Sequence, residues 1–223
     1  MRRRQLIGAV CLVLLAGGCA SSSHRSASPP TTGTTTTAPR AVAMPAACKS
    51  WHCHARQTRQ LGNGDAVTLW VAPSEQNFRS RPVLSLTDNG VAVQWWILPK
   101  GDGWNGSLTC LATSQQPNCV VVDSLGMHAS VAEMVVLRDG RLVHTGEAVA
   151  DAPGMTAVDL DQDGYLDVIG TVNDYTPNFA QGHNYWQTLR YSGGRFVVTG
   201  CTLQQQGLPA PVQLLNGNCP PVP

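Results

Sequence analysis

The stretch DLDQDGYLD at residues 159–167 sets four aspartates around a single glycine. Alternate side chains of a tight loop can all point inward, where they offer several oxygen ligands to a hard cation. Gly164 permits the sharp bend, and the carbonyl of Tyr165 can supply a further oxygen. Without a cation, two carboxylates about 5 Å apart repel by roughly 3 kcal/mol at an effective dielectric of 20. The pattern predicts a structural Ca²⁺ site, with a solvated acidic turn as the alternative. The expected ligands are Asp159, Asp161, Asp163, Tyr165 and Asp167.

The segments that flank this loop have the composition of strands. Residues 155–160 and 166–172 are rich in β-branched and apolar side chains, and Pro153-Gly154 precedes them. An EF-hand would need a bidentate acid at the twelfth loop position, where this chain has Gly170. We therefore expect a strand–loop–strand calcium site.

Such a loop resembles the calcium loop of FG-GAP/VCBS-type repeats, which occur in integrin-like β-propellers and in bacterial surface proteins. The resemblance implies side-chain ligands from the four aspartates and a carbonyl ligand from Tyr165. It is confined to the loop and its flanks. The Phe-Gly and Gly-Ala-Pro elements of the family are not recognisable here, and the sequence has one such loop.

A hairpin pattern recurs along the chain. GRLVHTG at residues 140–146 returns as GRFVVTG at residues 194–200, and each copy follows a turn signal. A third turn, TDNG at residues 87–90, precedes another alternating apolar run. Turns at this spacing predict blade-like units of four strands, so residues 46–223 are expected to form an all-β domain. The length holds three to four units of about 45 residues, which predicts a small or incomplete propeller, or another all-β arrangement.

The N-terminus has the features of an export signal. Three arginines precede an apolar run at residues 6–16, which is too short for a membrane span. The run ends in LAGGC at residues 15–19, which resembles the lipobox of bacterial lipoproteins, although Ala16 stands where that family usually has Leu. The resemblance implies a signal peptide at residues 1–18 and lipidation of Cys19. The expected location is the extracytoplasmic face of the cell membrane; ordinary cleavage with full release is the alternative.

Residues 19–45 link the lipidated Cys to the domain. From residue 20 onward this segment holds five Ser, six Thr and four Pro, with no acid and no aromatic residue, which is typical of a disordered linker. Its root-mean-square reach is roughly 30 Å.

Six cysteines remain in the exported domain, and an even number in this setting implies three disulfides with fifteen possible connectivities. We expect pairing between neighbours in the sequence. The expected pairs are Cys48–Cys53, Cys110–Cys119 and Cys201–Cys219.

The charge of the whole chain conceals that of the domain. The formal net charge is +1, but residues 46–223 carry ten Lys+Arg and all fourteen acids, a net of −4. Neither value provides an electrostatic case for binding nucleic acid.

Aromatic and amide side chains are mixed in residues 173–186. Such mixtures can stack on sugars and hydrogen-bond their hydroxyls, and ordinary loop packing is the alternative. The candidate ligand surface comprises Tyr175, Phe179, Tyr185 and Trp186.

Signatures of catalysis are missing from the sequence: it has no G-x-S-x-G elbow, no H-E-x-x-H helix and no Cys–His motif. We therefore expect a surface-anchored, non-catalytic, calcium-stabilised β module for binding, adhesion or envelope organisation. Its expected partners are the membrane, through the anchor, and an envelope glycan or protein. The alternative is an exported hydrolase acting on a cell-envelope glycan or polymer, with Asp123, Glu133 and Glu147 as candidate acids.

Overall fold

The structure is a computed structural model that describes residues 44–62, 64–73, 81–99, 101, 106–112, 116–206 and 208–221, without the side chains of residues 152 and 153. The expected signal peptide at residues 1–18, Cys19 and the linker up to residue 43 lie outside the described residues.

One short helix and eleven strands make up the described part of the chain. They are α1 (Ala46–Trp51), β1 (His54–Gly62), β2 (Asp65–Val71), β3 (Val83–Asp88), β4 (Val91–Ile97), β5 (Ser107–Leu111), β6 (Asn118–Ser124), β7 (Ala129–Arg138), β8 (Arg141–Val158), β9 (Asp167–Asn173), β10 (Asn184–Ser192) and β11 (Arg195–Leu203). None of the helical residues in this part forms a segment long and apolar enough to cross a bilayer.

The strands form two antiparallel sheets in which every neighbour in space is also a neighbour in sequence. Sheet 1 has the order β1-β2-β3-β4, and sheet 2 has the order β11-β10-β9-β8-β7-β6-β5. The expectation of an all-β domain is confirmed.

All three turns expected from the repeat pattern close two-residue hairpins, β3–β4, β7–β8 and β10–β11. The central pairs are Asn89-Gly90, Asp139-Gly140 and Gly193-Gly194, and all six residues have positive φ. A type I′ turn requires positive φ at both central positions, which explains why Gly, Asn and Asp occupy them. Each hairpin joins the last two strands of a four-strand run, namely β1–β4, β5–β8 and β8–β11.

Two hydrophobic cores lie on opposite faces of the β5–β8 run. On β7, Val135 packs with sheet 1 residues such as Leu69 and Leu84, whereas Met134 and Val136 pack in the second core. Successive strand residues point to opposite faces, so the sequence of a strand that is buried on both faces is a nearly continuous apolar run. The β5–β8 run is therefore the middle layer of three.

Strand β8 bends to carry the chain from the middle layer to the third layer. Its first part pairs with β7 up to Asp151; Asp151 also pairs with Thr171 of β9, and the pairing with β9 resumes from Thr156 onward. Between them the register is interrupted, and Gly170 of β9 lies close to both arms: a Cβ there would stand 2.7 Å from that of Ala150. The third layer then contributes Val168, Leu189 and Tyr191, among others, to the second core.

Each outer face of this stack is partly covered by a terminal segment that carries a disulfide. Helix α1, with the Cys48–Cys53 disulfide, packs on Trp70 and Val83 of sheet 1. At the other end, the C-terminal tail crosses β10 and β11: the Leu215 N–H donates to Thr188 Oγ1 at 2.9 Å, and Cys219 is bonded to Cys201.

The third disulfide, Cys110–Cys119, joins directly opposed residues of β5 and β6. All three expected pairings are confirmed.

Candidate metal site in the β8–β9 loop

The aspartate-rich loop joins β8 to β9 and is closed at its base by the strand pair Val158–Asp167. Two of its residues, Gln162 and Gly164, have positive φ, which reverses the chain within a few residues. Aspartate side chains also cap amides within the loop: Asp161 accepts from the Asp163 N–H at 3.3 Å, and Asp163 accepts from the Tyr165 N–H at 3.0 Å. The loop shape is therefore set by its own short polar side chains.

Three of the four aspartates converge. One carboxylate oxygen from each of Asp159, Asp161 and Asp167 lies within 4.8 Å of the other two. Oxygens that ligate one Ca²⁺ ion at 2.3–2.6 Å stand at most about 5 Å apart across the ion. The separations between the three oxygens are therefore within the range that one Ca²⁺ ion would require of its ligands.

Asp159 has one oxygen occupied and one without a partner. Its Oδ2 accepts from the Gly164 N–H at 3.1 Å, whereas its Oδ1 is buried with no hydrogen-bond partner in the protein. Leaving a buried acceptor of a charged group unsatisfied costs about 1–3 kcal/mol or more. A cation bound by the three carboxylates would supply the missing partner, so the residues present fit the expected ion.

Asp163 lies outside this set of three, although sequence analysis places it among the ligands. Its Oδ2 accepts from Arg190 Nη2 on β10 at 3.2 Å. The same guanidinium has its Nε 2.7 Å from Asp161 Oδ2, without an aligned N–H···O bond. These contacts, led by the hydrogen bond to Asp163, raise the pKa of Arg190. Arg190 thus offsets part of the charge that the loop would otherwise hold unbalanced.

Asp167 is the buried member of the set and is fully enclosed by protein. Its two oxygens accept from the backbone N–H groups of Leu160, at 3.0 Å, and Tyr191, at 2.9 Å. Burial raises the pKa of the Asp167 carboxyl to about 6, even though these two hydrogen bonds act to lower it. Asp167 therefore ties the loop to β10 and also presents a carboxylate to the candidate site.

A buried asparagine on the middle layer fixes the loop from the other side. Asn118 Nδ2 donates to the Gly164 carbonyl at 2.8 Å, and Asn118 Oδ1 accepts from the Leu166 N–H at 3.1 Å. The Tyr165 hydroxyl donates to Gln116 Oε1 at 2.9 Å.

The sequence carries no signal for the contacts that Asn118, Gln116 and Arg190 make with this loop. All three residues are distant from the loop in sequence, and none belongs to a motif that could have identified it.

The candidate aromatic surface divides into two parts. Tyr175 and Phe179 lie together in the β9–β10 loop, with ring centroids 5.5 Å apart, and His128 from the β6–β7 loop stacks 4.9 Å from Phe179. Tyr185 and Trp186 are successive residues of β10, so they point to opposite faces of the sheet. Two loops thus share one aromatic cluster, to which at most one of the two β10 residues can be adjacent.

The β9–β10 loop is held by polar side chains at its base. Asp174 Oδ1 accepts from the N–H groups of Thr176 and His183 at 3.1 and 2.9 Å. These bonds, with Thr176 contributing most, lower the pKa of Asp174. The Tyr175 hydroxyl donates to Asp151 Oδ1 at 2.9 Å. The aromatic cluster is therefore presented on an ordered loop.

The three acids considered for hydrolysis do fall on one face of the middle layer. Glu133 stands opposite Glu147 in the β7–β8 pairing, and Asp123 is diagonal to Glu133 across β6. Glu133 is 1% exposed and Asp123 is 3% exposed. A Glu133 oxygen lies 3.3 Å from His144 Nε2. Both carboxylates are therefore largely shielded from solvent.

Comparison with known proteins adds no relative: no family profile, curated protein or solved structure matches this chain. The class that fold and site define is a disulfide-stapled, layered all-β domain with a convergent carboxylate loop.

Proposed function

We propose that this chain is an exported, lipid-anchored and non-catalytic β module whose fold is stabilised by Ca²⁺. It serves binding, adhesion or envelope organisation on the extracytoplasmic face of a cell membrane. Two observations carry the proposal: one carboxylate oxygen from each of Asp159, Asp161 and Asp167 converges, and Asp159 Oδ1 is buried without a hydrogen-bond partner.

Calcium would be held by Asp159, Asp161 and Asp167, and the bound ion would supply positive charge that the loop lacks. Resemblance to FG-GAP/VCBS loops adds Asp163 and the Tyr165 carbonyl to this set. The ion would join the end of β8 to the start of β9, so its effect on function is indirect: it holds the third layer in place. Because it binds the folded state alone, the ion stabilises that state by linkage.

Three successive four-strand runs support the further proposal that the layers are blade-like units of a propeller that does not close. An open stack needs its end faces covered. Helix α1 and the C-terminal tail do so in part here, each next to a disulfide.

Melting the domain in calcium and in chelator tests the metal. We expect a higher transition temperature in calcium and expect Mg²⁺ to substitute poorly, because it demands near-ideal octahedral geometry and gives up its water reluctantly. Asp159→Asn removes a central ligand and should abolish the calcium-dependent shift, whereas Asp139→Asn, in a hairpin turn outside the loop, should keep it. An identical transition with and without calcium would remove this part of the proposal.

Mass spectrometry of the chain purified from membranes tests the anchor. We expect a diacylglyceryl-modified Cys19 at the N-terminus, and we expect Cys19→Ser to release the protein into the soluble fraction. An unmodified, soluble wild-type chain would refute the lipid anchor and leave the calcium result unaffected.

The hydrolase alternative has less support, because two of its three acids are buried. Glu147 is the exposed acid of this face. A Glu147→Gln variant that loses hydrolysis of an envelope glycan would revive that alternative.

A further inference from the structure

Strand β4 carries a stripe of exposed apolar side chains along the edge of sheet 1. Val91, Val93, Trp95 and Ile97 are each 46–53% exposed. They alternate with residues that face the interior, such as Gln94, whose amide bonds to the backbone of Leu142. Edge strands of soluble proteins are usually protected by charge or proline, and a contiguous apolar patch marks an interaction surface.

The same face of sheet 1 receives the chain from its N-terminal segment. Helix α1 packs on Val83, and Val83 is the direct strand partner of Ile97. The described chain therefore begins, at Met44, with a segment that leads into α1 beside one end of the stripe. Met44 is itself 42% exposed.

Charged groups are distributed unevenly along this sheet. Lys49 of α1 and Arg81, just before β3, are exposed near the Ile97 end. Asp65 and Asp88 pair in register at the opposite end, near Val91. Among the described residues, the end next to α1 thus carries these two cations and the far end carries these two acids.

We propose that this face of sheet 1, the β4 stripe together with α1, lies against an anionic lipid bilayer. Trp95 and its apolar neighbours would occupy the interface, where tryptophan is enriched, and Lys49 and Arg81 would face the lipid headgroups. The inference rests on the proposed lipid anchor, which would keep the face at high effective concentration near the membrane. A weak intrinsic affinity is then enough for docking.

Edge-to-edge pairing with a second copy of the chain would leave the stripe exposed. Antiparallel pairing of β4 with its counterpart, about a twofold axis normal to the sheet, would set both stripes side by side on the same face. That arrangement doubles the exposed apolar surface instead of burying it.

The test uses the mature chain with Cys19→Ser, so that no acyl chain contributes to binding. We expect it to co-sediment with vesicles of phosphatidylglycerol and phosphatidylethanolamine, and less with phosphatidylcholine alone. Val93→Ser combined with Trp95→Ser should weaken binding roughly tenfold or more, because both side chains lose apolar area that the bilayer would bury. The matched control, Val197→Ser with Val198→Ser, alters exposed apolar residues on β11 and should bind like the parent.

Circular dichroism and the melting transition confirm that each variant is folded. Absence of co-sedimentation, or equal loss in the β11 control, overturns the inference. So does a concentration-dependent dimer that the β4 variants abolish, since the stripe would then bind a second copy. If Cys19 is lipidated but the Cys19→Ser chain does not bind vesicles, the anchor is supported and the docking face is refuted. If Cys19 carries no lipid but the chain binds vesicles, the docking face is supported and the anchor is refuted.

Discussion

Arg190 on β10 contacts Asp161 in the β8–β9 loop, with Nε and Oδ2 2.7 Å apart. The same side chain hydrogen-bonds to Asp163. A cation supplied by the protein therefore already sits beside the proposed calcium site. A bound Ca²⁺ ion would compete with Arg190 for the carboxylate of Asp161.

Replacing Arg190 separates these two contributions. In chelator, Arg190→Gln should lower the stability of the domain only slightly, since its side chain is 44% exposed and solvent screens the pair. The rise in melting temperature on adding calcium should become larger, because the competing charge is gone. Arg195→Gln, an exposed arginine on β11, is the control and should change neither value. A smaller calcium response in Arg190→Gln would contradict the competition.

Two neighbouring aspartates distinguish the geometric ligand set from the one implied by resemblance. Asp161 belongs to the three converging carboxylates and Asp163 does not. We expect Asp161→Asn to remove most of the calcium-induced rise in melting temperature. Asp163→Asn should retain most of that rise. Titration calorimetry with calcium measures the same difference directly. Equal loss in both variants would favour the four-aspartate arrangement.

The stability of the ion-free domain should depend on pH through Asp167. Its pKa is raised from 3.8 to about 6 by burial, so between these values the folded state holds a proton that the unfolded state releases. The contribution of Asp167 to the free energy of unfolding in chelator should therefore be largest below about pH 4 and be lost as pH rises to about 6.

Asp167→Asn isolates this effect from other carboxylates. The variant lacks the titrating group, so its urea-unfolding free energy, subtracted from that of wild type at each pH, leaves the contribution of Asp167. We expect the unfolding free energy of wild type, relative to that of Asp167→Asn, to decrease as pH rises from about 4 to 6. A difference that is constant over this range, or that moves the other way, would show that Asp167 is not protonated in the folded domain.

Asn118 should contribute more to the free energy of unfolding than a typical buried residue of its size. Asn118→Ala leaves the Gly164 carbonyl and the Leu166 N–H without their partner, and should cost roughly 2–4 kcal/mol in chemical denaturation. Tyr165→Phe removes a hydrogen bond to Gln116 on the same loop and should cost about 1 kcal/mol or less. Similar losses in the two variants would mean that the loop is not held by Asn118.

The hairpins of this protein were predictable because their signals are local. A two-residue turn with both φ angles positive demands Gly, Asn or Asp at fixed positions, and alternating apolar residues on either side supply the strands. Disulfide pairing between cysteines close in sequence follows the same logic, since the hairpin or terminal segment brings them together. The convergence of Asp159 and Asp161 was likewise readable, because both belong to one short loop.

Other features depend on contacts between layers, which no local pattern encodes. The middle layer is buried on both faces, and this follows from how β8 bends and folds the third layer back, not from the composition of β7. Asn118 and Arg190 reach the loop only through that stacking. The division of the aromatic residues also depends on the register of β10, which sends Tyr185 and Trp186 to opposite faces.

The sequence by itself determined the all-β class, the positions of the three hairpin turns, the cysteine pairs and the loop that gathers carboxylates, because each depends on residues a few positions apart. Tertiary structure alone decided which carboxylates converge, which cation neutralises them and which face of β4 is left apolar and uncovered. Burial and charge pairing are properties of surfaces that meet, and those surfaces come from strands that are far apart in the chain.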